Sequence, residues 1–306
     1  MHVKVMLDGL RFPEGPAVLP DGGIACVEVG GGTIVACDAA GGGRRVLAET
    51  GAGPNGMALG PGGLCYVCNN GGLNWDRRGD WLLPYGTPAG YSGGSIQTVD
   101  LATGRVETLY DSCDGVRLKG PNDLVFDAHG GFWFTDHGKG RPRDLDRSAI
   151  YYARADGSAI REVVFPVTTA NGIGLSPDGR TLYVAETETA RLWAWSLKGP
   201  GEIDPLPWPG SPNGGRLLHV ASEYMRFDSL AVEANGNICI ATIIKASITV
   251  VSPTGELVGH VPIEGDPYVT NICFGGAGLR TAYITLSGTG RLVALDWPRA
   301  GLELAH

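Results

Sequence analysis

One pattern occurs six times along the 306 residues of this chain, and it leaves few architectures open. Each copy has a short apolar strand, a turn rich in Pro, Asp or Gly, and a second apolar strand that ends in a polar residue. The copies are FPEGPAVLPDGGIACVE, GPNGMALGPGGLCYVCN, GPNDLVFDAHGGFWFTD, ANGIGLSPDGRTLYVAE, FDSLAVEANGNICIAT and TNICFGGAGLRTAYIT, which begin at Phe12, Gly53, Gly120, Ala170, Phe227 and Thr270. A further strand pair follows each copy, so the pattern predicts four strands per repeat.

Repeats of four short strands are typical of β-propeller blades, which surround a central channel. The 49 glycines agree with many tight turns, because glycine adopts the positive φ angles that such turns need. We therefore predict an all-β fold, a six-bladed β-propeller with a central metal site, formed by residues 1–306 as a single domain. Residues 74–94 and 198–224 interrupt the repeat spacing, lack alternation, and are predicted to be loops.

Charge and hydropathy limit the partners of the chain. The formal net charge of −8 argues against a nucleic-acid-binding surface. No apolar run has the length of a signal peptide or a membrane span, so we expect a cytoplasmic protein without a membrane partner. The 7 cysteines lie mostly in strand-like apolar runs and are expected to be buried thiols. The sequence does not indicate an oligomeric state.

The alignment of the six copies places a carboxylate or an amide at one equivalent position, at the start of the first strand. Because blades are related by rotation about one axis, we expect these six side chains to converge in the channel. We call them the pore ring: Glu14, Asn55, Asn122, Asn171, Asp228 and Asn271. Asx residues at strand starts also make turns, but turn formation does not require one common repeat register.

The pore ring offers only oxygen donors, which favours a hard cation over a soft one. Two of its members carry charge and would neutralise one divalent ion. We predict one divalent metal ion, with Ca²⁺ first and Mg²⁺, Mn²⁺ or Zn²⁺ as alternatives.

A second set of polar residues falls near the end of the second strand of each copy. We call it the strand-end ring: Glu28, Asn69, Asp136, Glu186, Thr242 and Thr285. These side chains either shape a substrate pocket, anchor the pore ring by hydrogen bonds, or are ordinary polar strand ends.

Four motifs together resemble the SMP-30/gluconolactonase/luciferin-regenerating-enzyme family, whose relatives include the diisopropylfluorophosphatase-like hydrolases. They are FPEGP at 12–16, GPNDL with FTD at 120–136, NGIGLSPDG at 171–179 followed by LYVAET, and FDSLAVEANGN at 227–237. The resemblance covers nearly the whole chain and implies a six-bladed propeller with hydrolase activity. It implies that Glu14, Asn171 and Asp228 bind the metal, that Asp228 also acts in catalysis, and that Asn122 binds metal or substrate.

This chain departs from the family pattern at two positions. Gly120 stands where the lactonases have an arginine two residues before the asparagine, and the nearest basic residues are Arg117 and Lys119. The common FTDP continuation is absent, because Asp136 is followed by His137.

The chemistry that such a site supports is the opening of a cyclic ester, a small-molecule lactone or ester. Asp228 is predicted to be the general base, with its pKa depressed by the neighbouring cation. The predicted metal ligands are Glu14, Asn122, Asn171 and Asp228, and the predicted substrate-binding residues are Asn122, Asn55, Asp136, His137 and Asn271.

Two alternatives remain open for the function, and two for the first insertion. A phosphotriesterase would use the same ligands with direct attack by Asp228, and a metal-stabilised binding propeller would not catalyse at all. The aromatic side chains of the first insertion form either a lid over the pore or a packed-down loop: Trp75, Trp81, Tyr85 and Tyr91.

Overall fold

The structure, a computed structural model, describes residues 3–306 and is a six-bladed β-propeller. Each blade is an antiparallel sheet whose first strand is the innermost. Blade 1 contains Pro13–Val18, Ile24–Glu28, Thr33–Cys37 and Arg45–Glu49. Blade 2 contains Pro54–Leu59, Cys65–Asn69, Ser95–Asp100 and Arg105–Tyr110. Blade 3 contains Pro121–Phe126, Gly131–Asp136, Ser148–Arg154 and Ile160–Val167.

The remaining blades follow the same order, with one exchange at the end of the chain. Blade 4 contains Ala170–Leu175, Thr181–Glu186, Arg191–Gly199, Glu202–Asp204 and Arg216–Val220. Blade 5 contains Arg226–Val232, Ile238–Ile243, Ser247–Val251 and Leu257–Pro262. Blade 6 contains Val269–Gly275, Thr281–Leu286 and Arg291–Asp296, and its outer strand is the N-terminal segment Val3–Leu7.

The ring of blades is closed. Each inner strand contacts the inner strands of the two neighbouring blades, and blade 6 contacts blade 1 in the same way. In blade 6 the N-terminal strand pairs with the third strand, with Val3 opposite Leu295. This pairing brings the first and the last strand of the chain into one sheet and so holds the ring closed.

The hydrophobic core lies between blades. Six clusters of buried residues occur, one at each interface between neighbouring blades. Blades 2 and 3, for example, share a cluster that includes Tyr66, Phe126 and Phe132. The second strands are covered on both faces, which is why a strand such as Ile24–Glu28 is buried throughout and shows no polar alternation.

A bulge interrupts every inner strand near the pore-ring position. In blades 1 to 5 the pairing between the first and second strands shifts across or just after that position, as between Glu14 and Ala17 in blade 1. In blade 6 it shifts just before that position, between Val269 and Asn271. A β-bulge twists its strand and redirects a side chain. The repeated bulge therefore gives the pore-ring residues of blades 1 to 5 the same place in their strands.

The two insertions contain strands, so their prediction as loops was wrong in part. In the first, Asn74–Arg78 and Trp81–Tyr85 form a β-hairpin. In the second, Glu202–Asp204 and Arg216–Val220 both pair with the third strand of blade 4. The strands of both insertions are partly exposed, so they lack the continuous apolar pattern of the blade interiors.

The first hairpin packs against the propeller and fits the packed-down alternative better than a free lid. The ring centroids of Trp75 and Phe12 lie 5.3 Å apart, and those of Trp81 and Tyr268 lie 6.5 Å apart. Further short elements are the hairpin Ser112–Cys113 with Val116–Arg117 and the 3-10 turns Pro61–Gly63 and Ala277–Leu279. Within residues 3–306, no helix has both the length and the apolar character that a bilayer crossing requires.

Candidate functional site

All six pore-ring side chains are buried at the equivalent position of the six inner strands. None is more than 9 % exposed. Neighbouring blades are linked directly, because Asn271 Nδ2 donates to Glu14 Oε2 at 2.8 Å and Asn55 Nδ2 donates to the Asn122 carbonyl at 3.3 Å. The ring is a buried, connected set of polar groups.

Glycines next to the pore-ring positions allow neighbouring inner strands to lie close to one another. Gly56, the residue after a pore-ring position, faces the next blade so tightly that an added Cβ would lie 2.5 Å from the Asn122 carbonyl oxygen. Gly172 stands at the equivalent position of blade 4, where an added Cβ would lie 2.7 Å from the Asp228 carbonyl oxygen. A side chain at either position would push the neighbouring inner strand away from the axis.

The four asparagines of the pore ring fall into two pairs. In one pair the side-chain amide oxygen is already hydrogen-bonded, and in the other it is available to a ligand. Asn55 Oδ1 accepts from Asn70 Nδ2 at 3.3 Å, and Asn271 Oδ1 accepts from the Ile272 amide at 2.7 Å. In these two residues the amide oxygen is already engaged.

The other two asparagines leave their amide oxygens available. Asn122 Oδ1 is buried and has no hydrogen-bond partner among residues 3–306. Asn171 Nδ2 donates to Thr187 Oγ1 at 3.0 Å, and its Oδ1 has only a long contact of 3.4 Å with Ser229 Oγ. Asn122 and Asn171 are also the two amides in the predicted ligand set.

Burial raises the pKa of both carboxylates of the ring. Burial raises the pKa of Glu14 to about 7, although hydrogen bonds from Asn271 and Gly15 act against the shift. Burial, and then the charge of Glu14, raise the pKa of Asp228 well above its ordinary value. The sequence-based expectation of a lowered Asp228 pKa assumed a neighbouring cation. The protein groups alone raise this pKa.

Asp123 is a third buried carboxylate that the repeat register did not single out. Burial, and then the charge of Glu14, raise the pKa of Asp123 to about 7. It follows Asn122 in blade 3, where blades 1, 2 and 4 have glycine. That replacement of glycine by a charged residue was the sequence signal that could have revealed it.

These groups fit a hard divalent cation. Within residues 3–306, neither Glu14, Asp123 nor Asp228 forms an ion pair with Lys or Arg, and the nearby Arg226 pairs with Glu188 instead. Buried carboxylates need a compensating positive charge, and the free oxygen of Asn122 needs a partner. In the described part of the chain, no three His, Cys, Asp or Glu side chains together have metal-binding geometry. The predicted set contains only two such residues, because amides complete it.

The three carboxylates of the strand-end ring hold the backbone segments that lead into the pore-ring residues of their blades. Both carboxylate oxygens of Asp136 accept backbone N–H bonds, from Lys119 at 2.6 Å and from Gly120 and Gly138 at 2.7 and 2.9 Å. Lys119 stands three residues before Asn122. The same relation recurs in two other blades, where Glu28 accepts from the Arg11 amide and Glu186 accepts from the Thr168 amide. Of the alternatives for this ring, the anchoring role agrees with these contacts.

His137 lies beside the ring between blades 3 and 4. Its Nδ1 is buried without a hydrogen-bond partner among residues 3–306, and burial lowers the pKa of the imidazole to about 4. The imidazole is therefore neutral at pH 7. Arg226, two residues before Asp228, has a buried Nε that likewise lacks a partner in the described chain. The substrate contacts predicted for His137 and Asp136 remain predictions.

A cavity of about 1250 Å³ extends from the ring along the channel to the opposite face. Asp123 and Asn271 lie on its wall near the ring. The C-terminal segment from Leu302 to His306 lines its far end, where the His306 and Phe126 ring centroids lie 5.3 Å apart.

Three comparisons with known proteins agree with this architecture. Gluconolactonase from Zymomonas mobilis is 26% identical over 251 residues, which cover 77% of this chain and 61% of that protein. Lactonase drp35 from Staphylococcus epidermidis is 28% identical over 144 residues, which cover 47% of this chain and 42% of that protein. The chain thus spans less than two thirds of the length of both relatives.

The crystal structure of regucalcin, a calcium-binding protein from Agrobacterium tumefaciens, has the same fold. It matches with a TM-score of 0.76 and 16% identity, over 98% of this chain and 95% of that chain. The sequence profile described as the SMP-30/gluconolactonase/LRE-like region matches residues 12–288. This protein therefore belongs to the SMP-30/gluconolactonase/LRE-like family.

Proposed function

We propose that the protein is a metal-dependent lactonase that opens a small-molecule lactone. One divalent cation, Ca²⁺ in the first place, is held by Glu14, Asn122, Asn171 and Asp228. One observation carries this proposal. The carboxylates of Glu14 and Asp228 are buried without an ion-pair partner in the described chain, in the same ring as the two asparagines whose amide oxygens are available. The lactonase and gluconolactonase relatives and the calcium-binding regucalcin support it.

The two carboxylates have different surroundings, which assigns them different roles. Glu14 Oε2 already accepts from Asn271 Nδ2 and from the Gly15 amide at 2.9 Å, so Glu14 is a fixed negative charge. Asp228 is stabilised by fewer hydrogen bonds, with Asn171 as its side-chain partner. Asp228 therefore keeps the capacity to accept a proton.

A bound divalent cation would polarise the lactone carbonyl as a Lewis acid. Asp228 takes a proton from water while the water oxygen bonds to the carbonyl carbon. The ring C–O bond then breaks, and the proton passes from Asp228 to the released alkoxide oxygen. Water is consumed and a hydroxy acid is formed, so Asp228 ends in its starting state.

The test is a lactone screen with the purified protein. Aldono-, aliphatic and aromatic lactones are assayed before and after chelation, and again with Ca²⁺, Mg²⁺, Mn²⁺ or Zn²⁺ restored. We expect hydrolysis that is lost on chelation and recovered with Ca²⁺. Hydrolysis that survives complete chelation would refute the metal-dependent mechanism. Turnover of phosphotriesters but of no lactone would refute the proposed substrate class.

A single-turnover experiment in ¹⁸O-labelled water tests the role of Asp228. General-base catalysis places the label in the product acid and leaves the Asp228 carboxylate unlabelled. Labelled Asp228, detected by mass spectrometry of its peptide, would show that the residue attacks the substrate directly.

A further inference from the structure

A buried chain of side chains leads from Lys139 to the pore ring. Lys139 Nζ donates to Asn70 Oδ1 at 3.1 Å, and Asn70 Nδ2 donates to Asn55 Oδ1 at 3.3 Å. Asn55 Nδ2 then donates to the Asn122 carbonyl at 3.3 Å. Lys139, Asn70 and Asn55 are 3, 6 and 8 % exposed. Water therefore has little access to this chain, and each amide keeps the direction that its neighbours impose.

The contacts of Asn70 with Lys139 and Gly72 determine which side-chain groups donate and which accept in this series of hydrogen bonds. Asn70 Oδ1 also accepts from the Gly72 backbone amide at 2.9 Å. An ammonium group and a backbone N–H can only donate, so the group that faces both of them must be the amide oxygen of Asn70. The nitrogen of Asn70 consequently faces Asn55, and the oxygen of Asn55 is used in accepting from it.

Lys139 is held firmly enough for this role. Its Nζ also donates to the Gly72 carbonyl at 2.7 Å and lies 5.1 Å from the centroid of the Tyr91 ring. Burial lowers the pKa of Lys139 to about 8, while the charges of Asp136 and Asp146 act against the shift. The group is therefore still mainly cationic at pH 7.

We propose that Asn70, oriented by Lys139 and the Gly72 amide, is a positioning residue that makes Asn55 present N–H groups, and no oxygen, to the pore ring. This inference rests on the proposed lactonase function. Asn55 Nδ2 has two N–H groups, and one of them bonds to the Asn122 carbonyl. The other donates to the carbonyl oxygen of the bound lactone, where negative charge develops as water adds.

The substitution Asn70→Asp tests this direction without a change of shape. One oxygen of the introduced carboxylate keeps the contacts with Lys139 and Gly72, and Lys139 compensates the new charge. The other oxygen cannot donate, so the Asn55 amide turns and donates to this carboxylate. It thereby exchanges its 3.3 Å bond to the Asn122 carbonyl for a stronger, charge-assisted one, and presents its own oxygen to the ring. We expect kcat to fall by about tenfold to a thousandfold, the range for loss of one donor to a developing oxyanion. We also expect Ca²⁺, titrated calorimetrically, to bind more tightly because the ring gains an oxygen.

A double-mutant cycle with Asn55→Leu shows whether Asn70 acts through Asn55. In the Asn55→Leu background, Asn70→Asp should change kcat by less than about twofold. Equal effects of Asn70→Asp in both backgrounds would overturn the proposal. So would an Asn70→Asp variant with unchanged kcat.

Asn55→Leu alone provides an independent measurement if Asn70→Asp does not fold. Because the oxygen of Asn55 faces away from the ring, this variant should bind Ca²⁺ within about twofold of the wild type. A loss of Ca²⁺ affinity of about tenfold or more, as expected for removal of a ligand or its close support, would overturn the proposal. Lys4→Gln removes an exposed lysine on the outer strand of blade 6 and should leave both kcat and Ca²⁺ affinity unchanged.

The two proposals can fail separately. A wild-type protein that hydrolyses no lactone refutes the lactonase function, while the Ca²⁺ titrations still report the direction of Asn55. A lactonase in which Asn70→Asp weakens Ca²⁺ binding and leaves kcat intact refutes only the positioning role.

Discussion

The ionised carboxylate of Asp228 is needed for the proposed catalysis but destabilises the fold. Its carboxylate is buried beside Glu14, and both burial and the charge of Glu14 raise its pKa. The ionised form that a general base needs therefore destabilises the fold unless a cation compensates it. A carboxylate retained in such a position is expected where its charge serves function.

The substitution Asp228→Asn should separate these two effects. We expect kcat for lactone hydrolysis to fall by about 10²- to 10⁴-fold, the usual contribution of a general base. In the presence of a chelator, the thermal midpoint should rise by about 1–2 °C, as for a gain of roughly 1 kcal/mol in a chain of this size. Calorimetry with and without Ca²⁺ measures the second effect.

The exposed Asp21 provides the control, since Asp21→Asn should change neither quantity. An Asp228→Asn variant that is less stable than the wild type in chelator would contradict the account of mutual repulsion. Full lactonase activity of that variant would exclude Asp228 as the general base.

Asp136 distinguishes an anchor from a substrate contact. Three backbone N–H groups donate to its carboxylate, and two of them, those of Lys119 and Gly120, belong to the segment that precedes Asn122. Asp136→Asn replaces one acceptor oxygen by a donor, so we expect a loss of about 2–3 kcal/mol in the free energy of unfolding, in the range for hydrogen bonds to a charged group. Urea denaturation measures it. If Asp136 is instead a substrate ligand, KM should rise while stability stays close to that of the wild type.

At the scale of single elements, the inner strand with its bulge is the unit that builds the site. Gly56 lies at the bulge of blade 2, and its Cα faces the main chain of Asn122 and Asp123 in blade 3. Since an added Cβ would lie 2.5 Å from the Asn122 carbonyl oxygen, the inner strands would have to separate.

Gly56→Ala should therefore destabilise the protein by about 3 kcal/mol or more, at the upper end for overpacking of a core. The matched control is Gly90→Ala, because Gly90 is exposed and an added Cβ there meets nothing within 4 Å. That variant should stay within about 0.5 kcal/mol of the wild type. Chemical denaturation of both variants provides the comparison, and equal stabilities would mean that the inner strands can move apart freely.

The blade strands were predictable because each repeat shows the same apolar pattern, and the pore ring followed from one shared register. The hairpin formed by Asn74–Arg78 and Trp81–Tyr85 was not predictable in this way. It occurs once, reaches from blade 2 across to blades 1 and 6, and buries only part of its surface. The hydrogen-bonded side chains from Lys139 to Asn55 could not be predicted from the sequence either. Lys139 and Asn70 lie 69 positions apart, and no local pattern connects them.

At the scale of the whole molecule, closure of the ring depends on contacts between distant parts of the chain. The strand Val3–Leu7 completes blade 6, although no copy of the repeat indicated which blade it would join. The segment after blade 6 turns back onto blade 5, where Gly301 and Glu233 form an isolated bridge. The repeat pattern of the sequence therefore predicts the individual blades. Closure of the ring depends on pairings between segments that are distant in sequence and come together only in the folded protein.

Glu233 is the centre of this second closure. It is fully buried, and its carboxylate accepts from Trp297 Nε1 at 2.7 Å, from Asn237 Nδ2 at 2.9 Å, and from Arg299 Nε. Burial alone would raise the pKa of Glu233, but the hydrogen bonds from Arg299, Trp297 and Asn237 outweigh it and lower the pKa below its ordinary value of 4.5. The ionised form is therefore the one that stabilises the fold.

This shift determines how stability depends on pH. A carboxylate with a lowered pKa contributes its full stabilisation above the unfolded-state value, here near 4.5, and loses it as the pH falls through the folded-state value. Glu233→Gln should therefore cost about 2–3 kcal/mol at pH 7, and the difference from the wild type should shrink as the pH falls from about 5 toward 3. Urea denaturation at a series of pH values measures it. Glu256→Gln, at an exposed turn position, should show no difference at any pH. A Glu233→Gln deficit that stays constant across the series would mean that the side chain acts through its shape and not through its charge.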